Sequence, residues 1–358
     1  MIDTLINSVK PLNMTAMDEA KKYHQMLAKP PGSLGMLEEI GIQIAGITGK
    51  VHNNIEKKHL LVFASDNGVT EEGVSSAPKS VTLKQTVNLT KAKTGASVLA
   101  KHFGCGITVC DVGIDGDVSG TDIVDRKIAY GTDNISKGPA MTREQAEKAI
   151  LTGAEIAKNT PCDILGIGEM GIGNTTTASA VLSALSGYDA DAVTGRGGGI
   201  TDEAFGKKKQ IIKRAIEINC PDKNDVIDVL SKVGGFDIAA MCGAFIGGAS
   251  SGRPVVVDGF ISAVASLCAV RLCPDVSDYL IASHDSCEKG YRLAIKEIGI
   301  KPFLNLGMRL GEGSGCPLAF QIVDAACAVI NNMATFSEAD IDDGYLEEIR
   351  QGDSIWEN

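Results

Sequence analysis

The sequence predicts an α/β protein with a Rossmann-like, doubly wound and mostly parallel sheet, and with a small helical domain built from the N- and C-terminal segments. Short β-rich apolar runs end in Asp, Gly or Ser and precede helical patterns, as parallel strands joined by crossover helices do. Hydrophobic residues make up 44% of the 358 residues and aromatic residues only 4%, with 41 glycines. Small aliphatic side chains must therefore form closely packed layers.

The chain is predicted to fall into three segments. Residues 1–59 form the N-terminal helical segment of the small domain, which KPPGSLG at residues 29–35 interrupts because Pro-Pro-Gly breaks a helix. Residues 60–305 form the α/β nucleotide-binding domain, and residues 306–358 contain the catalytic loop and C-terminal helices. We predict strands at residues 60–65, 107–112, 163–168, 254–259, 279–283 and 303–308, and helices at residues 142–158 and 207–219.

The composition excludes several classes of protein. A formal net charge of −11 argues against a nucleic-acid or anionic-membrane surface, since either requires a basic footprint. The ten cysteines include no CxxC pair, which favours a reducing compartment. The five histidines show no metal-ligand spacing, so we expect no metal site. With no signal-peptide core and no run of 18 apolar residues, we expect a soluble, cytoplasmic protein. The acidic tail from Ser337 is predicted to be solvated and partly helical.

Glu312 is the first candidate for chemistry. It lies in a loop with glycines at Gly311, Gly313 and Gly315, between an apolar run and a long helical pattern that ends near Met333. Glycines on both sides permit backbone angles that other residues resist, and the loop leads into a helix N-terminus. The pattern makes Glu312 a candidate base, with a glutamate in a tight turn as the alternative.

A predicted phosphate cradle follows the strand at residues 163–168. Backbone N–H groups of the glycines can turn toward an anion, and the polar side chains add donors where the helix dipole is positive. Thr175 fits equally well as an N-cap. The candidate phosphate ligands here are Gly168, Gly171, Gly173, Asn174, Thr175 and Thr176.

The same loop also permits a dinucleotide interpretation. Gly166, Gly168 and Gly171 spell GxGxxG, and Asp191 lies 20 residues after Gly171, about where a ribose-binding acid belongs. Against a dehydrogenase, the fingerprint lies in mid-chain, and Glu169 would approach a pyrophosphate.

Further polar groups follow other predicted strands. A glycine-rich turn at residues 195–200 leads to a lysine-rich helix, from which one lysine could reach a phosphate, although a solvated basic face is the alternative. DGF at residues 258–260 and SHDS at residues 283–286 bring polar groups to the carboxyl edge of the sheet, where ligands of open α/β folds bind. His284 is a candidate base, with a hydrogen-bonded structural histidine as the alternative.

The chain resembles one family nearly from end to end, the nicotinate-nucleotide–dimethylbenzimidazole phosphoribosyltransferases. KPPGSLGMLEEI at residues 29–40, GIGEMGIGNTTTA at residues 166–178 and MRLGEGSG at residues 308–315 carry the resemblance. Further matching segments are DNGVTEEGVSSAPKSVT at residues 66–82, NISKGPAM at residues 134–141 and DVLSKVGGFDIAAM at residues 228–241. The resemblance implies an enzyme without a cofactor that transfers phosphoribose from nicotinate mononucleotide to dimethylbenzimidazole or a related base, and a homodimer with its site near the interface.

The resemblance also implies roles for individual residues. Glu312 corresponds to the catalytic base of this family and Glu169 to a second glutamate of the phosphate loop. Lys208 and Ser286 correspond to phosphate ligands, with the three adjacent lysines leaving the register of Lys208 open by one position. Gly313 is included among the nucleotide-binding residues, and Ser75 and Gln85 are expected in the benzimidazole pocket. A catalytically silent binder of nucleotides or azoles is the remaining alternative.

Overall fold

The computed structural model describes residues 1–346 and shows an α/β fold with a six-stranded sheet. All of its strand pairs are parallel and follow the order β3-β2-β1-β4-β5-β6. This confirms the predicted fold class. The strands are β1 (Lys58–Ser65), β2 (Gly106–Gly113), β3 (Val124–Asp125), β4 (Ile164–Met170), β5 (Val255–Val257) and β6 (Leu280–Ala282).

The strand order reverses between β1 and β4, which are hydrogen-bonded neighbours at the centre of the sheet. Loops on both sides of this switch point leave the carboxyl edge in opposite directions and open a crevice there. A cavity at this edge is lined by loops that follow β4, β5 and β6. Topology alone therefore positions the site.

The helices occupy both the crossovers and the two ends of the chain. They are α1 (Ile2–Ile6), α2 (Met14–Met26), α3 (Met36–Thr48), α4 (Val81–Thr90), α5 (Gly95–His102), α6 (Arg143–Asn159), α7 (Asn174–Ser186), α8 (Ala190–Val193), α9 (Asp202–Asn219), α10 (Val226–Val233), α11 (Phe236–Ser250), α12 (Phe260–Leu272), α13 (Tyr291–Ile298) and α14 (Cys316–Asn332). The two helices predicted at residues 142–158 and 207–219 correspond to α6 and α9. Thr142 caps α6 through a capping box with Gln145. None of the helices in the described residues is long and apolar enough to cross a membrane.

Two sequence predictions of secondary structure are wrong. Residues 303–308 do not form a strand, because only Leu304 pairs with the sheet, through a single bridge to His284. The strand β3 was not predicted, since two residues with one exposed side chain carry no apolar pattern. The apolar runs around most of the cysteines predict buried thiols, but Cys220 and Cys287 are exposed.

Glycine allows the helices to approach one another closely. A Cβ atom on Gly153 of α6 would lie 1.8 Å from the carbonyl oxygen of Ala240, and one on Gly243 of α11 would lie 1.8 Å from that of Ile150. Helices α6 and α11 therefore pack backbone against backbone, which accounts for the glycine- and alanine-rich composition of the core.

The two ends of the chain meet beside the sheet. Leu27 and Thr335 form an antiparallel bridge, and α3 packs against both α2 and α14. A buried cluster of Lys29 and Glu38, joined by a 2.7 Å ion pair, fixes the Pro-Pro-Gly turn. These contacts support a small domain built from both termini, while the division at residues 59 and 305 stays a prediction. Most of the acidic tail, residues 347–358, lies outside the described residues.

Candidate active site

A cavity of ≈ 310 Å³ opens at the carboxyl edge of the sheet. Contacts distinguish two regions of its wall. At the carboxylate end, Glu312 and Leu310 lie against the start of α5, since a Cβ on Gly95 would meet both side chains. At the lysine end, Thr175, Gly197 and Glu288 surround the ammonium group of Lys208. Glu312 is thus part of the cavity wall, whereas the buried Lys208 lies behind the wall and contacts its residue Thr175.

Glu312 occupies a backbone conformation that few residues with a side chain adopt. Its φ is 63°, between Gly311 at 87° and Gly313 at 84°, so all three residues lie in the left-handed region. The residue is 6% exposed, and its Oε2 accepts a hydrogen bond of 3.2 Å from the backbone N–H of Ala96 in the first turn of α5. Burial raises the pKa of Glu312, while the hydrogen bond from Ala96 opposes this rise.

The backbone N–H of Glu312 is held by the other predicted glutamate. This N–H group donates to Glu169 Oε1 at 3.2 Å, so a side chain near the end of β4 holds the loop of Glu312 in place. A Cβ on Gly168 would lie 2.6 Å from the carbonyl oxygen of Glu312. Gly168 therefore lets the loop lie directly on the strand.

Two more buried polar groups complete this region. Asn174, the first residue of α7, donates its side-chain amide to both Glu169 Oε2 and Asp237 Oδ2. Burial raises the pKa of Glu169 to about 8 and that of Asp237 to about 6. The Asn174 amide, predicted to bind phosphate, joins these two acids, and Asn174 also lines the cavity. Asp237 was not among the sequence candidates, and nothing local to it indicates this contact.

Asp258 was predicted only as a polar group at the edge of the sheet. Its Oδ2 accepts from the backbone N–H of Gly313 at 3.1 Å, and its Oδ1 from that of Gly315 at 2.6 Å. His284 lies beside it, with Nδ1 3.8 Å from Asp258 Oδ1 and 3.0 Å from Ser283 Oγ. His284 is buried and hydrogen-bonded, as the structural alternative requires, although it also lines the cavity.

The lysine end is built from regular secondary structure. Lys208 is 1% exposed, and its Nζ donates to Thr175 Oγ1 at 2.7 Å. Burial lowers the pKa of Lys208 to about 8, and the nearby carboxylate of Glu288 opposes this effect. A Cβ on Gly197 would lie 3.7 Å from Lys208 Nζ, so the glycine-rich turn passes close to the ammonium group. Of the three adjacent lysines, Lys207 is exposed, so the register that brings an ammonium inward is that of Lys208.

The predicted site residues divide between the cavity wall and its support. Within residues 1–346, the predicted residues Gly168, Thr176, Lys208 and Gly313 are not part of the wall. Lys208 contacts the wall through its hydrogen bond to Thr175. Gly166 and Gly168 lie inside β4, where a Cβ on the first would meet Cys316, rather than in the turn that a dinucleotide fingerprint requires. Asp191 is at the surface, paired with Lys209 and Lys213. The predicted residues on the wall are Ser75, Gln85, Glu169, Gly171, Gly173, Asn174, Thr175, Ser286 and Glu312.

The described residues contain no group of three or more His, Cys, Asp or Glu side chains that could hold a metal ion. What the site offers instead is a helix N-terminus with glycines before it, three buried carboxyl groups on the wall and one buried lysine behind Thr175. On an open parallel sheet, this combination is typical of α/β proteins that bind phosphorylated ligands at the switch point.

Comparison with known proteins identifies the family. Residues 9–341 match the model of a phosphoribosyltransferase family, DBI_PRT. A nicotinate-nucleotide–dimethylbenzimidazole phosphoribosyltransferase from Clostridium perfringens is 51% identical over 353 residues, 98% of each chain. Its namesake from Clostridium tetani is 49% identical over 355 residues, again 98% of each chain. The crystal structure of CobT from Thermus thermophilus has a TM-score of 0.89 at 36% identity, covering 92% of this chain and all of that one.

The chain therefore belongs to the nicotinate-nucleotide–dimethylbenzimidazole phosphoribosyltransferase family and is a phosphoribosyltransferase. The predicted family is confirmed. The dehydrogenase and the silent binder, the two alternatives left by the sequence, do not agree with this assignment.

Proposed function

We propose that this enzyme transfers the 5-phosphoribosyl group of nicotinate mononucleotide to 5,6-dimethylbenzimidazole or a related azole or purine base. The products are α-ribazole 5′-phosphate and nicotinate. The observation that carries the proposal is one cavity lined by the buried Glu312 carboxylate and by Thr175, whose hydroxyl accepts from the buried Lys208 behind it. The names of the relatives support the choice of substrates.

The reaction balances without a metal or cofactor. The unprotonated nitrogen of the azole attacks C1′ of the ribose, and the bond from C1′ to the pyridinium nitrogen breaks. Its electron pair remains on the nitrogen, so nicotinate leaves with a neutral ring. The other azole N–H becomes acidic as positive charge develops, and Glu312 accepts its proton. Attack opposite the leaving ring inverts C1′ from the β to the α configuration.

The surroundings of Glu312 suit a general base. Burial raises its pKa and therefore its basicity, while the N-terminus of α5 stabilises the ionised form. Glu169 supports it by accepting the N–H of Glu312, and its own raised pKa of about 8 keeps most of its population neutral at pH 7.

The phosphate belongs at the lysine end. Gly171 and Gly173 lead into α7, where the helix dipole favours an anion, and Thr175 and Ser286 supply hydroxyl groups. Lys208 supplies the positive charge through its contact with Thr175.

The remaining predicted residues have supporting or base-binding roles. Gly168, Thr176 and Gly313 act behind the wall, by shaping β4, α7 and the loop of Glu312, and Asn174 joins Glu169 to Asp237. Ser75 and Gln85 line the same cavity and are assigned to the azole.

We also propose a homodimer with the cavity near its interface. Leu310, which lines the cavity, is 59% exposed, and Leu306 is 56% exposed. Two large apolar side chains on one short segment favour a protein contact there. Light scattering across micromolar dilution tests this, and a monomeric mass at every concentration contradicts it.

A transfer assay tests the proposed reaction. The purified protein is incubated with nicotinate mononucleotide and dimethylbenzimidazole, and NMR follows nicotinate release and the configuration at C1′ of the product. We expect the α-nucleotide and equal amounts of nicotinate. A β-nucleotide product contradicts inversion, and release of nicotinate without base attachment reduces the activity to hydrolysis.

A further inference from the structure

The loop that carries Glu312, residues 311–315, is held on the sheet by carboxyl groups from two strands. Glu169 accepts the N–H of Glu312, and Asp258 accepts those of Gly313 and Gly315 at 3.1 and 2.6 Å. The two oxygens of Asp258 thus bind two backbone groups on either side of Ser314. Glu169 already has an assigned role, whereas Asp258 has none.

This loop depends on such support because its backbone is strained. Glu312 has a φ of 63°, a conformation that a residue with a Cβ keeps only where surrounding contacts enforce it, whereas Gly311 and Gly313 adopt positive φ without this cost. A rotation at Gly313 moves the Glu312 carboxylate, since only one peptide unit separates them. Asp258 binds the N–H of that peptide unit directly.

Asp258 is itself fixed in place. It is 2% exposed, its backbone N–H donates to Ser262 Oγ at 3.1 Å, and its carbonyl accepts from Ser283 Oγ at 3.3 Å. Burial raises the pKa of Asp258, and His284 and the loop N–H groups oppose this rise. A rigid carboxylate can accept one hydrogen bond on each oxygen, so it suits two N–H donors that lie side by side.

We propose that Asp258 is a positioning residue for Glu312, which fixes the loop at residues 311–315 so that the Glu312 carboxylate meets the azole proton. The proposal rests on the proposed role of Glu312 as the base. Asp258 accepts no proton from the substrate in this scheme. It acts on the rate only through the placement of Glu312.

Asp111 offers a matched control in the same sheet. It is fully buried at the end of β2, and its Oδ1 accepts from the backbone N–H groups of Gly113 and Ile114 at 2.9 and 2.7 Å. Like Asp258, it therefore accepts from two backbone N–H groups after a strand, while its Oδ2 forms an ion pair with Lys127. Within the described chain, Asp111 is not part of the cavity wall.

The primary test compares Asp258→Asn with Asp111→Asn. In Asp258→Asn one oxygen becomes an NH2 group that faces a backbone N–H, so the loop must shift. We expect kcat to fall about tenfold to hundredfold, the range that small displacements of catalytic groups produce. The Kd for nicotinate mononucleotide, measured by calorimetry, should change less than about twofold. Asp111→Asn should keep the parent kcat per folded molecule. Parent-like kcat in Asp258→Asn overturns the proposal.

A double-mutant cycle with Glu312→Gln separates positioning from general damage to the fold. If Asp258 acts only through Glu312, adding Asp258→Asn to Glu312→Gln should change kcat less than about twofold, because no base remains to be positioned. A further loss of about tenfold in the double variant overturns the proposal. If Glu312→Gln alone turns over at the parent rate, Glu312 is not the base. Because this variant is also measured by itself, that outcome is distinguished from failure of the positioning role of Asp258.

Gly315→Ala tests the same contact from the loop if Asp258→Asn does not fold. A Cβ there would lie 2.8 Å from Asp258 Oδ1 and 2.3 Å from His284 Nδ1, so the loop must lift from the carboxylate. Gly315 has a φ of −75°, which alanine tolerates. We expect a lower kcat, unchanged nucleotide affinity and the same lack of additivity with Glu312→Gln. A parent-like kcat overturns the proposal.

Discussion

The two ends of the cavity bury opposite charges by different structural means. Lys208 lies on the long helix α9 and contacts Thr175 on α7, so regular secondary structure places it. Glu312 lies on a loop with three successive positive φ angles, which hydrogen bonds from distant strands hold in place. Burial shifts both pKa values toward neutrality, lowering that of Lys208 and raising that of Glu312. From this difference we expect the lysine end to determine the affinity for the nucleotide and the carboxylate end to determine the rate of transfer.

Glu312→Gln should give the largest effect on kcat. If it changes the affinity for the substrates instead, the proposed difference between the two ends of the cavity is wrong. Glutamine preserves the shape and can still accept from Ala96, but it cannot take a proton. Loss of general-base catalysis costs about 10²–10⁴-fold in rate, so steady-state kcat should fall by that order while the Kd values of both substrates stay similar. Glu169→Gln should act more mildly, because Glu169 holds the loop and Asn174 but takes no proton from the azole in this scheme.

The pH dependence of kcat provides the control for this variant. Because the pKa of Glu312 is raised, the parent kcat should fall on the acid side at a pH above the ordinary glutamate range. Glu312→Gln should lack this limb. An unchanged acid limb, or a parent-like kcat, moves the base to another group.

Gly173→Val addresses the lysine end. Gly173 has a φ of 92°, and a Cβ there would lie 2.8 Å from Thr70 Cγ2, so valine must distort the turn before α7. Calorimetry should show binding of nicotinate mononucleotide weakened at least about tenfold, since the anion site at a helix N-terminus depends on this turn. Gly187→Val is the matched control, because Gly187 ends the same helix with a φ of 77° and open space around it. It should lose stability but keep affinity, and equal losses of affinity in both variants place the phosphate elsewhere.

The smallest effect is expected in the pH dependence of kcat/KM, from the titration of Lys208. Its pKa of about 8 means that the ammonium is charged below this pH and loses its proton as the pH rises through it. The ratio kcat/KM for nicotinate mononucleotide reports the free enzyme and should therefore decline above about pH 8. Lys208→Arg should remove this basic limb, because a guanidinium stays charged.

The exposed neighbour Lys207 supplies the control for that titration. Lys207→Arg should retain the basic limb of the parent. A basic limb that survives in Lys208→Arg shows that another group titrates, and the electrostatic description of the lysine end is then wrong.

The sequence by itself determined the fold class, the family and the loops that form the cavity. Apolar runs followed by helical patterns predicted five of the six strands, because alternation of strand and helix is a local property of the chain. The loop of Glu312 and the turn before α7 were recognised for the same reason, since glycine at particular positions signals unusual backbone angles. The segment 303–308 was misassigned because a short apolar run has no pattern that distinguishes a strand from a packed loop.

Only the tertiary structure decided which groups each loop contacts. Glu169 and Glu312 are 143 residues apart and Asp258 and Gly313 are 55 apart, so no local pattern records their hydrogen bonds. The same holds for Asn174, whose side chain fits a helix start in sequence but joins Glu169 to Asp237 in the structure. Burial produces the shifted pKa values of Glu312 and Lys208, and burial exists only once the distant segments have packed together.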